Sequence, residues 1–229
     1  MRIVQTAFFA LVTVAALGFP SQAPAAFITS AGGVTAPSLT IDFSQFTSVI
    51  FGPGPVQIGG LVGRNVTLES GTTSSILHND LYSLIGNGQW DTGRIGYSGT
   101  GTKEGVMTYR FLDTPVSQVG GFVNYAPGGF GPNSLIEALA QDGTVLESYD
   151  VFSLAPISTP AAVNAGAFRG ITRATADIYA FRVSNSYIAL DDLKFSDNPA
   201  PPSVATPLPG TVALAAFGFV GIALRRARR

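Results

Sequence analysis

The chain has 229 residues, enough for one domain with a real core, and only 12 % of them are charged, for a net charge of −1. It has no cysteine and one histidine, which excludes disulfides, thiolate chemistry, iron–sulfur clusters and histidine-rich metal sites. With 27 Gly and 15 Pro it is rich in turns, and its few basic residues do not supply the positive surface that nucleic-acid binding requires.

Residues 1–25 read as a secretory signal peptide, expected to be helical. Arg2 is a short positive region, Ile3–Leu17 is an uncharged apolar run, and Ala23-Pro24-Ala25-Ala26 supplies the small residues that a signal peptidase requires. The run is too short to span a bilayer comfortably, and Pro20 ends it. Cleavage is expected after Ala25 or Ala26.

Residues 26–197 form the expected folded domain. Short β-branched and aromatic runs are punctuated by Gly, Asn, Asp and Pro, the pattern of an all-β, antiparallel β-sandwich. The expected strands are Leu39–Phe43, Val49–Phe51, Asn65–Leu68, Val106–Leu112, Val119–Tyr125, Leu135–Gln141, Val145–Phe152, Ile178–Val183 and Tyr187–Phe195. Met107, Tyr109 and Phe111 share one face of their run, opposite Thr108 and Arg110; Tyr179, Phe181 and Val183 likewise oppose Arg182. Gln141-Asp142-Gly143-Thr144 suits a type I′ hairpin turn that pairs Leu139 with Leu146 and Ala140 with Val145. Ile76, Leu77, Leu81 and Leu84 follow helical spacing, so a short helix is expected over 75–85. Gly86–Gly105 reads as a long, flexible loop.

The chemistry-bearing residues are few. His78 has no nucleophile elbow to serve, since Gly96-Tyr97-Ser98-Gly99 is followed by Thr100, and it reads as a surface or capping residue. Lys103 and Lys194 lie in no catalytic motif. Glu137 and Glu147 should point to opposite faces of their hairpin, which argues against an acid/base pair for glycoside hydrolysis. Asp191-Asp192 is more unusual, because strict alternation puts Asp191 beside Tyr187, Leu193 and Phe195 on the apolar face. A carboxylate there must be paired, capped by backbone N–H groups or bound to a cation such as Ca²⁺, or a bulge must turn it away. Trp90, the single tryptophan, with Tyr97 and Tyr125 forms the candidate platform on which a sugar could stack.

Residues 198–206 are a proline-rich linker, Asn198-Pro199-Ala200-Pro201-Pro202-Ser203 and onward, extended and semi-rigid. The tail 207–229 opens with Pro207-Leu208-Pro209-Gly210, continues through fourteen uncharged residues, Thr211–Leu224, and ends in Arg225, Arg226, Arg228 and Arg229. Such a hydrophobic helix can hold an exported chain in the inner membrane with its arginines on the cytoplasmic side.

This succession of proline motif, short apolar helix and arginine cluster resembles the PEP-CTERM sorting tail of Gram-negative bacteria, in its Pro-Leu-Pro variant. Leu208 stands where the commonest motif has Glu, and Thr206 and Gly210 flank the motif where the variant usually has Val and Ala. The resemblance implies export, recognition at Pro207-Leu208-Pro209 by an exosortase-type sorting protease, and release or transfer to the cell surface, outer membrane or extracellular matrix. An unprocessed chain would stay anchored in the inner membrane. The series Pro115–Phe122, Ala138–Gly143, Ile178–Val183 and Ala189–Phe195 is similar to jelly-roll sandwiches attached to such tails and to those of carbohydrate-binding modules, some of which hold a structural Ca²⁺.

Removing both targeting ends leaves 8 basic against 14 acidic residues, a net charge of −6. Such a domain will not bind nucleic acid by neutralising phosphates, but it tolerates cations and neutral glycans. The expectation is a non-enzymatic surface or matrix protein with a structural or adhesive role among exopolysaccharide in a biofilm. The alternatives are a glycan-binding module built on Trp90 and, less favoured, a carboxylate-dependent glycan hydrolase.

Overall fold

Alternating apolar residues need a sheet with one buried face, and the structure supplies two such sheets. It is a computed structural model that describes residues 25–71, 74–78, 94–99, 105–125, 134–156, 168–185 and 187–199. Fourteen strands occur among them. They are β1 Ala26–Ile28, β2 Leu39–Ile41, β3 Ile50–Phe51, β4 Val56–Gln57, β5 Val66–Ser70, β6 Ser74–His78, β7 Arg94–Gly99, β8 Gly105–Phe111, β9 Gln118–Tyr125, β10 Leu135–Leu139, β11 Val145–Asp150, β12 Phe168–Thr172, β13 Ala180–Asn185 and β14 Tyr187–Ser196. A one-turn helix, α1 (Val151–Leu154), follows β11, capped by Asp150, whose Oδ1 accepts from the N–H groups of Phe152 and Ser153.

The first sheet runs β1-β12-β9-β14-β7-β6-β3, with β2 also on β14; the second runs β11-β10-β13-β8-β5-β4. Every strand pairing described is antiparallel. Inward residues of both sheets share one core. Val119, Val123, Ile188, Leu190 and Phe195 come from the first sheet, and Leu68, Met107, Tyr109, Phe111, Phe181 and Val183 from the second. The all-β, sandwich-like architecture expected from the alternation is therefore present, and Met107, Tyr109 and Phe111 face inward together as expected.

Three local expectations are corrected. Ser74–His78 is a strand between β3 and β7, not the start of a helix. Ser75 and Ile76 are fully buried, and Ile76 is paired with both Ile50 and Gly96, so sheet pairing overrides the loose helical spacing. Within the expected loop, Arg94–Gly99 is a strand paired with both β6 and β14. The hairpin turn has positive φ at Gly143 (86°) and not at Asp142, so it is not type I′. Ala140 N–H bonds Thr144 O, Gly143 N–H bonds Ala140 O, and Leu139 pairs with Val145 rather than Leu146. This is a three-residue loop with a left-handed glycine, which absorbs one residue as a bulge. Beyond the bulge the expected register returns, with Ala138 opposite Glu147 and Glu137 opposite Ser148.

Candidate functional site

The register places the two ends of the folded domain side by side. Ala26 pairs with Thr172, Thr172 with Gln118, and Gln118 with Ser196, forming one row across the first sheet. Three strand spacings of ~4.8 Å put the first and last strands' ends about 14 Å apart. Gln118 ties this end together: its Oε1 accepts from Thr35 N–H at 2.8 Å, and its Nε2 donates to Asn198 O at 2.8 Å. Ser117 Oγ also donates to Asn198 O. The chain is thus fixed where it leaves β14.

Arg64 closes the same end. Its Nε and Nη2 donate to the two oxygens of Asp113 at 3.0 and 3.2 Å, and its Nη1 to those of Asp197 at 2.9 and 3.1 Å. Nη2 also donates to Thr114 O at 2.8 Å, and the guanidinium lies over the Phe195 ring, 5.3 Å from its centroid. All three nitrogens are therefore engaged. Burial works against the charge on Arg64, but the two aspartates outweigh it and raise its pKa. Burial would raise Asp113, yet Arg64 and the N–H groups of Asn65 and Thr114 hold it at about 2. Beside this cluster lies a groove of about 260 Å³, lined by Pro37, Leu39, Arg64, Phe195, Asp197 and Asn198 among others.

Asp191 and Asp192 occupy a bulge where β14 changes neighbours. Residues 187–190 pair with β7 and residues 193–195 with β2, leaving the dipeptide between them on that edge. On the other edge the register against β9 shifts between Asp191 and Lys194. Ile188, Leu190, Leu193 and Phe195 all join the core, so strict alternation through this dipeptide is corrected: two residues, not one, separate Leu190 from Leu193. Asp192 takes φ 49°, and its N–H donates to the fully buried Asp191 Oδ1 at 2.9 Å. Burial, with the Asp191 carboxylate adding to it, pushes the Tyr109 hydroxyl far above its ordinary pKa. Among the described residues no group of three or more His, Asp or Glu is placed to hold a metal ion.

The other singled-out residues are dispersed. Glu137 binds Arg182 at 2.6 Å and Glu147 binds Arg173 at 2.6 Å, each on its own face of the hairpin. Arg173 also holds Asp177, at 2.6 Å. Tyr125 is 3 % exposed, and its ring meets Phe152 at 6.3 Å, so it offers no open face for stacking. Tyr97 pairs through its backbone with Ala189, and His78 with Arg94. Lys194 Nζ donates to Ala31 O at 3.1 Å. Trp90 and Lys103, with residues 1–24 of the expected signal peptide 1–25, the sorting motif Pro207-Leu208-Pro209 and the tail arginines, lie outside the described residues. Among the described residues no helix is long and apolar enough to cross a membrane.

The Arg64 cluster had no motif to announce it. Its available signal was scarcity: in a chain with 12 % charged residues, a charge set beside a strand run tends to be partnered. No known protein family matches this chain, and no curated protein is similar to it in sequence.

Proposed function

We propose that this chain is an exported cell-surface or extracellular-matrix protein of a Gram-negative bacterium, delivered by a PEP-CTERM-like tail and an exosortase-type enzyme. Its role is structural or adhesive and not catalytic. The observation that carries the reading is the row Ala26–Thr172–Gln118–Ser196. Cleavage after Ala25 would leave β1 whole, with Ala26 still paired to Thr172, whereas cleavage after Ala26 would remove that pair. The C-terminal linker leaves from the same end, so a chain held by its tail would present the opposite end outward.

The wrapping of the strands supports a jelly-roll-like sandwich. β8 lies in the second sheet, β9 in the first and β10 in the second; β12, β13 and β14 then alternate in the same way. The separation of Glu137 and Glu147 onto opposite faces, each with its own arginine, speaks against a carboxylate-pair hydrolase.

Intact mass of the protein recovered from medium, outer-membrane and inner-membrane fractions tests the sorting reading. A species starting at Ala26 and ending near Pro207–Gly210, outside the inner membrane, is expected. An inner-membrane species that keeps Arg225–Arg229 would refute it.

A further inference from the structure

We propose that the groove beside Arg64 is the docking site of the chain's own proline-rich linker, with Pro201-Pro202 as its occupant. Asn198, which lines the groove, is fixed through its carbonyl by Ser117 and Gln118, and the chain continues from its rim. Pro202 follows Asn198 by four residues. At ~3.1 Å per residue for an extended proline segment it stays within ~12 Å of that anchor. So short a tether gives a millimolar or higher effective concentration, so that even a weak contact is occupied.

The chemistry of the groove selects this occupant. Pro37 and Leu39 present exposed apolar surface, Leu39 at 36 %, while Phe195 lies fully buried beneath the Arg64 guanidinium and closes the floor of the groove. A pre-extended proline segment loses little entropy on covering such a surface. An anionic ligand is disfavoured. Every Arg64 nitrogen is already bonded, and the two carboxylates around it leave a net negative rim. The segment 199–206 carries no charge. Docking leaves four residues between Pro202 and Pro207, which on the sorting reading would keep the domain close to the membrane until the motif is cut.

The test needs no sorting enzyme. The chain has no cysteine, so Ser203→Cys in the chain from Ala26 to Arg229, purified in detergent, accepts a single nitroxide label. A slow-motion spectrum is expected at low protein concentration. Leu39→Asp should lower the ratio of slow to fast components about tenfold, as loss of one apolar contact does. Replacing Pro201 and Pro202 by Gly should do the same without touching the domain. Phe51→Asp, at a position 77 % exposed on β3, should leave the spectrum unchanged. A fast spectrum in the labelled parent overturns the proposal, as does a slow one that survives both sets of substitutions. A slow component that grows with protein concentration assigns the groove to a second copy and equally overturns it.

Discussion

Arg64→Ala should destabilise the domain by about 3 kcal/mol, the largest effect expected of any single charge removal near the chain ends. The sum follows from exposure. The Arg64 side chain is 11 % exposed, Asp113 is 32 % and Asp197 is 48 %. The half-exposed Asp197 pair contributes about 0.5 kcal/mol. The two-pronged Asp113 pair, better shielded and sharing its acceptors with two backbone N–H groups, contributes ~1–2 kcal/mol. Losing the guanidinium from the Phe195 ring, with its aliphatic stem, adds about 1 kcal/mol. In a domain of this size ~3 kcal/mol lowers Tm by roughly 6–12 °C. Arg64→Lys keeps the charge but loses the planar fork, and should forfeit about half as much. A thermal-denaturation cycle with Asp113→Asn checks the assignment, with an expected coupling of ~1–2 kcal/mol. A Tm change below ~2 °C for Arg64→Ala, or an equal loss with and without Asp113, would refute the reasoning.

The remaining predictions concern other parts of the same framework. Gly120→Ala should cost ~2–3 kcal/mol in chemical denaturation, because a Cβ there would lie 2.6 Å from Arg169 O and 2.7 Å from Phe168 Cε1. Asp113, held at about 2 from 3.8, stabilises the fold fully above its unfolded pKa, and this contribution disappears as pH falls through the folded value. Asp177, lowered by Arg173 against the effect of burial, acts in the same direction. Stability should therefore fall between about pH 4 and pH 2, by ~1 kcal/mol for Asp113 after solvent screening, and acid titration of Arg64→Ala should show a smaller fall. Asp191→Ala should cost ~1–3 kcal/mol by leaving the Asp192 N–H without its carboxylate acceptor. Added Ca²⁺ should leave the Tm of the unmodified protein unchanged; a rise with Ca²⁺ that Asp191→Ala abolishes would make the bulge a cation site.

Alternation made much of the sandwich legible, and the reasons for the rest are local. Met107, Tyr109 and Phe111 announced an inward face because nothing interrupts their period of two. The hairpin register was readable from Glu137 to Ala138, but the turn was not. Asp-Gly fits both a two-residue turn and a three-residue loop closed by a bulge, and only Gly143 takes positive φ. β6 and β7 were obscured because their partners lie far away in sequence: Leu190 for Gly96, and Ile50 for Ile76. The Asp191-Asp192 bulge was one of the open alternatives. What decides for it is the sharing of one edge of β14 by β7 and β2, a fact of topology that no dipeptide encodes. Arg64 was invisible for the same reason: Asp113 and Asp197 lie 49 and 133 residues away in sequence.

The strand from which the linker leaves is the one best placed to bear a tether. β14 is ten residues long and paired along both edges, with β9 on one side and β7 and β2 on the other. Its C-terminal end is the exit end, so tension applied at Asn198 along the strand would load those ladders in shear, many hydrogen bonds at once. An exit from an edge strand would instead let the ladder peel one bond at a time. Gln118 and Ser117 take up the first part of that load through the Asn198 carbonyl, and Arg64 clamps the adjacent Asp197. β1, by contrast, is an edge strand of three residues and is suited to a free end rather than to an anchor. The two ends of the domain therefore share one side of the molecule but differ in how firmly pairing holds them, as the proposed release at the N-terminus and tether at the C-terminus would require.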